Sequence, residues 1–166
     1  ATSPAALGAP ADITRSLDHY VEAYGVYDLI VVADGDGSVI AVNDVDPAGK
    51  HIDTARFLGR NVGNEEWFRK AVASSKTSDP TYASDFYVDA WIVDTFQSNG
   101  FALNFAAPVR DPDGRVVRVW SNRVAYDRVA MAAMTQLRTS LEARGLRGVE
   151  TQLLDRRGLV LDEVDE

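Results

Sequence analysis

The sequence predicts an α+β domain in which helices pack on the faces of an antiparallel sheet of five to six strands. Three segments have apolar residues at helical spacing, and the segments between them are β-branched or alternate apolar with polar residues. Short turns that contain Asp and Gly separate these strand-like runs, which favours antiparallel hairpins. A length of 166 residues suits one domain with its own core.

The first part of the chain predicts a helix followed by a hairpin. Residues 12–24 carry an apolar stripe, Asp12 is a candidate N-cap, and Gly25 is expected to end this helix. Two strands at 27–33 and 38–43 are joined by a turn rich in Asp and Gly. The polar, glycine-containing stretch that follows predicts a loop with one short helix.

A second helix is predicted to open at Asn64, which can cap it, and to bury Trp67 and Phe68. Residues 82–97 predict a strand that is broken near Asp89. Alternation and helical spacing then predict the remaining elements. These are strands at 101–109 and 115–124, a long helix at 127–144 and a hairpin within 151–166.

The charge balance narrows the classes of partner. The chain has 17 basic and 25 acidic residues, so its formal net charge is −8. This balance argues against nucleic-acid binding and against attachment to an anionic membrane surface. The sequence contains no cysteine, which excludes disulfide frameworks, thiolate nucleophiles and cysteine-ligated zinc.

The start of the chain does not have the pattern of a signal peptide. No stretch approaches the ~18 apolar residues that a membrane span requires. Residues 1–11 combine small residues and proline without a basic block or an apolar block. We therefore expect a flexible lead-in rather than a signal peptide.

Catalytic and metal-binding motifs are scarce. His19 and His51 have no partners at zinc-ligand spacing, and neither a nucleophile elbow nor a phosphate-binding glycine loop is present. The Asp-rich turns at 34–37 and 111–114 lack the further oxygen ligands of a calcium loop. We therefore expect no catalytic residue, no metal and no cofactor.

Four short motifs follow one another along the chain. They begin at Trp67, Tyr82, Phe105 and Asp113 and read WFRKA, YASDFYVDA, FAAPV and DGRVV. Their combination resembles the Cache family of PAS-like extracytoplasmic sensor domains found in bacterial chemoreceptors and sensor kinases. The resemblance implies a PAS-like sheet with a long N-terminal helix on one face and a ligand pocket, roofed by a helix and loops, on the other.

The same resemblance implies a division of the chain. The sensor module would cover residues 12–126, and a connecting helix would cover 127–145. Residues 146–166 would form a β-hairpin of an incomplete or membrane-proximal second module. This division leaves 1–11 as the lead-in.

The last long strand of the module agrees with a sheet that is covered on both sides. Val117, Val119, Ser121 and Arg123 share one face of this strand, whereas Trp120 lies on the other. Large apolar residues on both faces require a cover on both. A helix on one side and a pocket roof on the other would provide it.

Family members that bind amino acids carry a helix motif Arg-Pro-Trp-Tyr, a Tyr-x-Asp pair on the following strand and an Asp on the last strand. This chain keeps the tryptophan as Trp67 and has Phe68 in place of the tyrosine. It keeps the strand pair as Tyr87 and Asp89. These four residues are candidate ligand contacts.

Two positions depart from that motif. Glu65 stands where the family has the arginine that grips the ligand carboxylate, and Arg123 stands where it has the aspartate that binds the amine. An α-amino acid in the usual pose would meet like charges at both ends. Amino-acid sensing is therefore not carried over to this chain.

The departures favour a small organic acid, such as acetate or propionate, as the ligand. Arg123 would bind the carboxylate, because a guanidinium makes two charge-assisted hydrogen bonds to it. Two alternatives stay open: Arg123 forms a buried ion pair with Asp89 or Asp85, and Trp67 is a core residue. The candidate ligand-binding residues are Arg60, Trp67, Phe68, Tyr87, Asp89, Ser121 and Arg123.

The function that the resemblance implies is a non-enzymatic sensor. The chain would be the periplasmic portion of an inner-membrane chemotaxis receptor, attached to the membrane only through flanking spans, and a homodimer through its N-terminal helix. A histidine kinase or a cyclic-dinucleotide enzyme could carry the same kind of sensor. The remaining alternative is a small α+β enzyme that uses Asp85 and Asp89 for acid–base chemistry.

Overall fold

The computed structural model describes residues 9–74, 81–154, 157–158 and 160–164. Its helices are α1 (Pro10–Tyr24), α2 (Glu66–Ala73), α3 (Ala90–Phe96) and α4 (Tyr126–Ala143), with a 3₁₀ turn at Ala55–Phe57. Its strands are β1 (Tyr27–Asp34), β2 (Val39–Val42), β3 (Tyr82–Ala83), β4 (Tyr87–Val88), β5 (Phe101–Arg110), β6 (Val116–Ala125), β7 (Thr151–Leu154) and β8 (Val160–Val164).

The six strands β1–β6 form one antiparallel sheet in the order β2-β1-β6-β5-β3, and β4 also pairs with β5. β7 and β8 form a separate two-stranded sheet. The α+β fold with a sheet of five to six strands is therefore confirmed. The central pair β5–β6 sets the register Asn104↔Arg123 and Ala106↔Ser121, which places these four side chains on one face.

α1 lies on the opposite face of the sheet. Ile13, Leu17 and Val21 form its buried stripe, and they pack against Ile30 and Val32 of β1. The predicted cap was wrong: α1 begins at Pro10, after Ala9, and no side chain caps it. Proline suits the first turn because its φ is already helical and its missing N–H would have no partner there. Most of the expected lead-in at 1–11 lies outside the described residues. α1 ends at Gly25, in the left-handed conformation that glycine favours.

α2 covers the other face of the sheet. It begins at Glu66, with Glu65 rather than Asn64 at the N-cap position, so the predicted cap was one residue too early. Trp67, Phe68 and Ala71 are its buried residues. α2 packs mainly on β5, and it forms one wall of the cleft described below.

The predicted strand at 82–97 was wrong over most of its length. Only β3 and β4 are extended there, and Asp89 ends the strand by capping α3. Oδ1 of Asp89 accepts hydrogen bonds from the backbone N–H groups of Trp91 (2.8 Å) and Ile92 (3.3 Å). These donors have no partner inside the helix, so the cap stabilises α3 at this position.

The sheet is covered on both sides, as its last strand predicted. Leu29 and Val31 of β1 join Phe57, Trp67 and Val119 in the core on the α2 side. A third cluster, around Tyr126, Ala130 and Met134 of α4, includes Phe86 and Leu153. No helix in the described ranges is long and apolar enough to span a membrane.

Candidate functional site

A cleft of about 320 Å³ opens between the N-terminal end of α2 and strands β3, β4 and β5. Aromatic rings and carboxylates form most of its wall. Its size falls in the range of pockets that hold small molecules. The lining residues are Glu65, Glu66, Trp67, Tyr82, Ser84, Asp85, Phe86, Tyr87 and Asn104.

Asn104 forms the floor of the cleft. Its side chain is 1 % exposed, and its Oδ1 accepts a hydrogen bond from Ser121 Oγ at 2.8 Å. Its Nδ2 makes no hydrogen bond of ordinary length and angle to the described residues, although the amide lies close enough to the Tyr87 hydroxyl to lower the pKa of Tyr87 slightly. A buried amide donor without an acceptor is costly, so this group is available to an acceptor that enters the cleft.

Arg123 and Asp89 form a buried ion pair next to this floor. Arg123 Nη1 lies 3.0 Å from both oxygens of Asp89, and each side chain is 4 % exposed. Asp89 also accepts a hydrogen bond of 2.7 Å from the Tyr87 hydroxyl. Of the alternatives that the sequence left open for Arg123, the structure contains the ion pair with Asp89.

Aromatic rings enclose the guanidinium of Arg123. Its Cζ lies 4.3 Å from the ring centre of Trp91 and 5.9 Å from that of Trp67. The Nε–H of Arg123 is buried and has no acceptor in the described part of the chain. Asn104 is its direct neighbour across the strand pair. Two residues with buried donors that lack an ordinary hydrogen bond to the described residues are therefore paired across β5 and β6, and one of them, Asn104, lines the cleft.

The Tyr87 hydroxyl remains protonated under ordinary conditions. Burial raises the pKa of Tyr87 strongly and the negative charge of Asp89 raises it further, whereas the charge of Arg123 and a weaker contribution from the Asn104 amide oppose this only in part. The hydroxyl thus keeps its proton and donates a hydrogen bond to Asp89. This bond fixes the Tyr87 ring on the wall of the cleft.

The candidate ligand-binding residues separate into three groups. Trp67 and Tyr87 line the cleft. Asp89, Ser121 and Arg123 are buried next to it and reach it through Asn104, Tyr87 and Trp67. Phe68 lies in the core, and the exposed Arg60 lies over the rings of Phe57 and Trp91, at 5.3 Å and 5.8 Å, outside the cleft lining.

Several cleft residues were missed from the sequence. Asn104 had a detectable signal, because it interrupts the buried face formed by Ala102 and Ala106 on an alternating strand. Phe86 and Tyr82 lie within a recognised motif, but only the irregular chain path at 81–89 brings their rings to the cleft. Trp91 was assigned to a strand, so its stacking on Arg123 could not be anticipated.

In the described ranges, no group of three or more His, Cys, Asp or Glu side chains is arranged to hold a metal ion. The chemistry that the cleft offers is hydrogen bonding from buried donors and contact with aromatic rings. These are the groups with which proteins contact and orient small molecules.

Solved sensor domains share this fold. The sensor domain of the Vibrio cholerae histidine kinase DctB is 14 % identical, with a TM-score of 0.60, over 93 % of this chain and 48 % of that chain. The ligand-binding domain of the Campylobacter jejuni chemoreceptor Tlp3, in complex with L-valine, is 11 % identical, with a TM-score of 0.60, over 92 % and 51 %. The ligand-binding domain of the Pseudomonas aeruginosa chemoreceptor PctC, in complex with GABA, is 16 % identical, with a TM-score of 0.56, over 91 % and 55 %.

These neighbours are Cache-type ligand-binding sensor domains of chemoreceptors and histidine kinases, so the resemblance seen in the sequence motifs is confirmed in the fold. At this level of identity the likeness is one of fold alone. The chain spans about half the length of these structures. A scan against protein-family models and a search of curated proteins find no match for the sequence.

Proposed function

We propose that this chain is the extracytoplasmic ligand-binding sensor domain of a transmembrane signal transducer. The observation that carries the proposal is the cleft between α2 and β3–β5, with the unsatisfied amide of Asn104 at its floor. A buried donor without a partner lowers the stability of the empty domain, and a ligand that satisfies it gains binding energy. The sensor-domain fold of the structural neighbours supports the same proposal.

The proposed ligand is a small organic acid with a short carbon chain. A carboxylate has two acceptor oxygens, and Asn104 Nδ2 and Arg123 Nε are two buried donors on residues that pair across β5 and β6. To reach Arg123, the carboxylate must share the guanidinium with Asp89. Trp67 and Tyr87 would contact the carbon chain.

The size of such a ligand limits its affinity. At about −1.5 kcal/mol per heavy atom, a four-atom acid such as acetate reaches at most about −6 kcal/mol, or a Kd of roughly tens of micromolar. A reversible sensor of a nutrient operates in this range. Each additional methylene that contacts the aromatic wall strengthens binding by about 0.8 kcal/mol.

The contacts of Asp89 favour a sensor over an enzyme. Asp89 accepts hydrogen bonds from two backbone N–H groups, from Tyr87 and from Arg123, so its lone pairs are already used. A general base needs a free lone pair within reach of the substrate proton. Asp85 lies on the wall of the cleft, and in an enzyme it would have to carry out the acid–base chemistry without Asp89.

The proposed parent protein is a chemotaxis receptor in the inner membrane, with the domain in the periplasm, flanking membrane spans and a homodimer formed through α1. A histidine kinase is the alternative output, since such sensor domains also share the fold. The β7–β8 hairpin, joined to the sensor module by α4, would belong to a second, membrane-proximal module. Sedimentation of the purified chain tests the dimer, and a monomer at all accessible concentrations would contradict it.

Calorimetry with acetate, propionate and butyrate tests the ligand class. We expect saturable binding to the wild-type chain and at least tenfold weaker binding to Asn104→Ala, because a hydrogen bond to a charged group is lost. Asn122→Ala is the matched control, since Asn122 lies on the α1 face of the same sheet and should bind as wild type.

Arg123→Lys should also weaken binding, because an ammonium group lacks the separate Nη1 and Nε donors that let the guanidinium bind Asp89 and the ligand at the same time. If Asn104→Ala and Arg123→Lys both bind with wild-type affinity, the carboxylate does not occupy this floor. If none of the three acids binds to the wild-type chain, the proposed ligand class is wrong.

A further inference from the structure

The charged side chains among the described residues that line the cleft are all acidic. Glu65, Glu66 and Asp85 line it, and none of the described lining residues is Lys, Arg or His. Arg123, next to the floor, is neutralised by its ion pair with Asp89, and the described cations Arg69 and Lys70 follow Glu65 and Glu66 by four residues on α2 without lining the cleft. The charges that a ligand meets on entering are therefore acidic.

The floor of the cleft fixes the direction in which a ligand lies. Asn104 Nδ2 is a buried donor that lacks an ordinary hydrogen bond to the described part of the chain, and Asn104 is 1 % exposed. An acceptor group on the ligand must point to this floor. The opposite end of the ligand then lies at the mouth, next to Glu65 and Glu66.

The position of Glu65 and Glu66 on α2 strengthens their effect on an anion. They lie at the N-cap and the first residue of the helix, where the backbone dipole and free N–H groups normally attract negative charge. Two carboxylates there compete with a ligand anion for those groups. A second carboxylate on the ligand would meet repulsion where a bare helix end would attract it.

From this charge distribution we infer that Glu65 and Glu66 act as a charge filter, selecting acids with a single carboxylate, and a neutral or cationic far end, against dicarboxylates. The inference rests on the proposed binding of a carboxylate at the floor of the cleft. It assigns a specificity role to two residues that need not touch the bound carboxylate.

Three acids of nearly equal shape test the filter. Butyrate, 3-aminopropanoate and succinate share a carboxylate and two methylenes, and they differ at the far end, which is methyl, ammonium and carboxylate, respectively. Calorimetry on the full chain at neutral pH and moderate salt gives the three Kd values. We expect succinate to bind at least tenfold more weakly than butyrate, and 3-aminopropanoate to bind more tightly than butyrate.

Variants that remove the charges of Glu65 and Glu66 test whether these two residues cause the selectivity. In Glu65→Gln/Glu66→Gln, the ratio of the succinate Kd to the butyrate Kd should fall toward one, and the advantage of 3-aminopropanoate should disappear. Glu150→Gln, which removes one exposed carboxylate from the segment between α4 and β7, is the control and should keep the wild-type ratios. Lower ionic strength should enlarge the wild-type ratios, because screening is reduced.

Two failures can be told apart. If succinate binds as tightly as butyrate, or if the double variant keeps the wild-type ratio, the charge filter is wrong while carboxylate binding stands. If none of the three acids binds, the carboxylate ligand of the proposed function is wrong, and the filter falls with it.

Discussion

The two faces of the central sheet differ in what they bury. Under α1, the packed cluster is apolar, with Leu17 and Val21 fully buried at its centre, and the buried polar residues Asp28 and Asn43 lie beside it where β1 begins and β2 ends. On the α2 side, the interior also holds the charged pair Asp89 and Arg123, together with Asn104, whose amide lacks an ordinary hydrogen bond to the described residues. Burial of such groups opposes folding unless every one of them is paired.

This difference separates the residues that stabilise the fold from those that serve a ligand. Apolar side chains could fill the space under α2 at least as well as a charged pair and an unsatisfied amide. Stability alone therefore does not explain the polar groups on that face. Each prediction below tests whether the α1 face is built for stability and the α2 face for binding.

The largest expected effect on the free energy of unfolding comes from the buried ion pair on the α2 face. Arg123→Met leaves the buried carboxylate of Asp89 without its cation, so we expect the free energy of unfolding to fall by about 3–5 kcal/mol. Arg123→Met/Asp89→Asn should recover much of this loss, because an asparagine still caps α3 and no unpaired charge remains. Urea denaturation of the three proteins gives the values.

The matched control lies on α1. Arg15 and Asp12 form an ion pair whose side chains are 79 % and 61 % exposed, so Arg15→Met should lower the free energy of unfolding by at most about 1 kcal/mol. If Arg123→Met and Arg15→Met cost the same, the buried pair does not distinguish the two faces. If the double variant is as unstable as Arg123→Met, the pair itself stabilises the fold.

A cavity under α1 should lower stability without affecting the cleft. Leu17 is fully buried, and Leu17→Ala should lower the free energy of unfolding by about 2–5 kcal/mol. Butyrate affinity, measured by calorimetry well below the midpoint of unfolding, should equal that of wild type. A loss of affinity would mean that the packing of α1 reaches the binding site through the sheet.

The contrast between the faces also explains what could be predicted from the sequence. Ile13, Leu17 and Val21 recur at every fourth position, and Gly25 follows them. The sequence therefore predicts α1 and the residue at which it ends. The alternation along β5 and β6 likewise predicts two long strands and their faces. Apolar periodicity is a local signal, and it suffices where a face is built from apolar residues.

Polar groups on the α2 face depend on contacts that no local pattern records. Arg123 and Asp89 are 34 residues apart, so the sequence left their pairing as one of several alternatives. The apolar residues Trp91 and Ile92 fit a strand or a helix equally, and the hydrogen bonds to Asp89 select the helix. Arg60 follows the 3₁₀ turn, and its guanidinium lies over the ring of Phe57 instead of lining the cleft.

Removal of the Ser121 hydroxyl, which bonds to Asn104 at the cleft floor, is expected to lower stability by a smaller amount. Ser121→Ala removes the donor to Asn104 Oδ1 and leaves a second buried polar atom of Asn104 unsatisfied. We expect a loss of about 1–3 kcal/mol, measured by urea denaturation, and weaker binding of butyrate. Ser16→Ala removes an exposed hydroxyl of α1 that bonds to a backbone carbonyl, and its effect should stay within about 0.5 kcal/mol. Equal losses in the two variants would contradict the distinction.

The smallest expected effect on stability comes from Asp18 of α1, whose pKa is raised in the folded protein. Partial burial raises the pKa of Asp18, and the nearby charge of Asp44 adds to this, although the backbone N–H of Asp44 donates to Asp18 at 2.8 Å and opposes the rise. A carboxyl whose pKa is higher in the folded state binds protons more tightly there. It therefore favours folding below its unfolded pKa and opposes folding once the pH exceeds its folded pKa.

Asp18→Asn removes this opposition and keeps an acceptor oxygen for the Asp44 N–H. At pH 7 the variant should be more stable than wild type, by less than about 1 kcal/mol, because solvent screens a partly exposed group. As the pH falls below the usual range for aspartate, the protonated wild type resembles the variant, so the difference should vanish. Urea denaturation measures both proteins at pH 7 and at a pH below the usual range for aspartate. The difference between the two proteins at each pH cancels the contributions of the other titrating groups. A variant that is less stable at pH 7 would show that the bond from Asp44 outweighs the burial of charge, and that this acid supports the α1 face instead of opposing it.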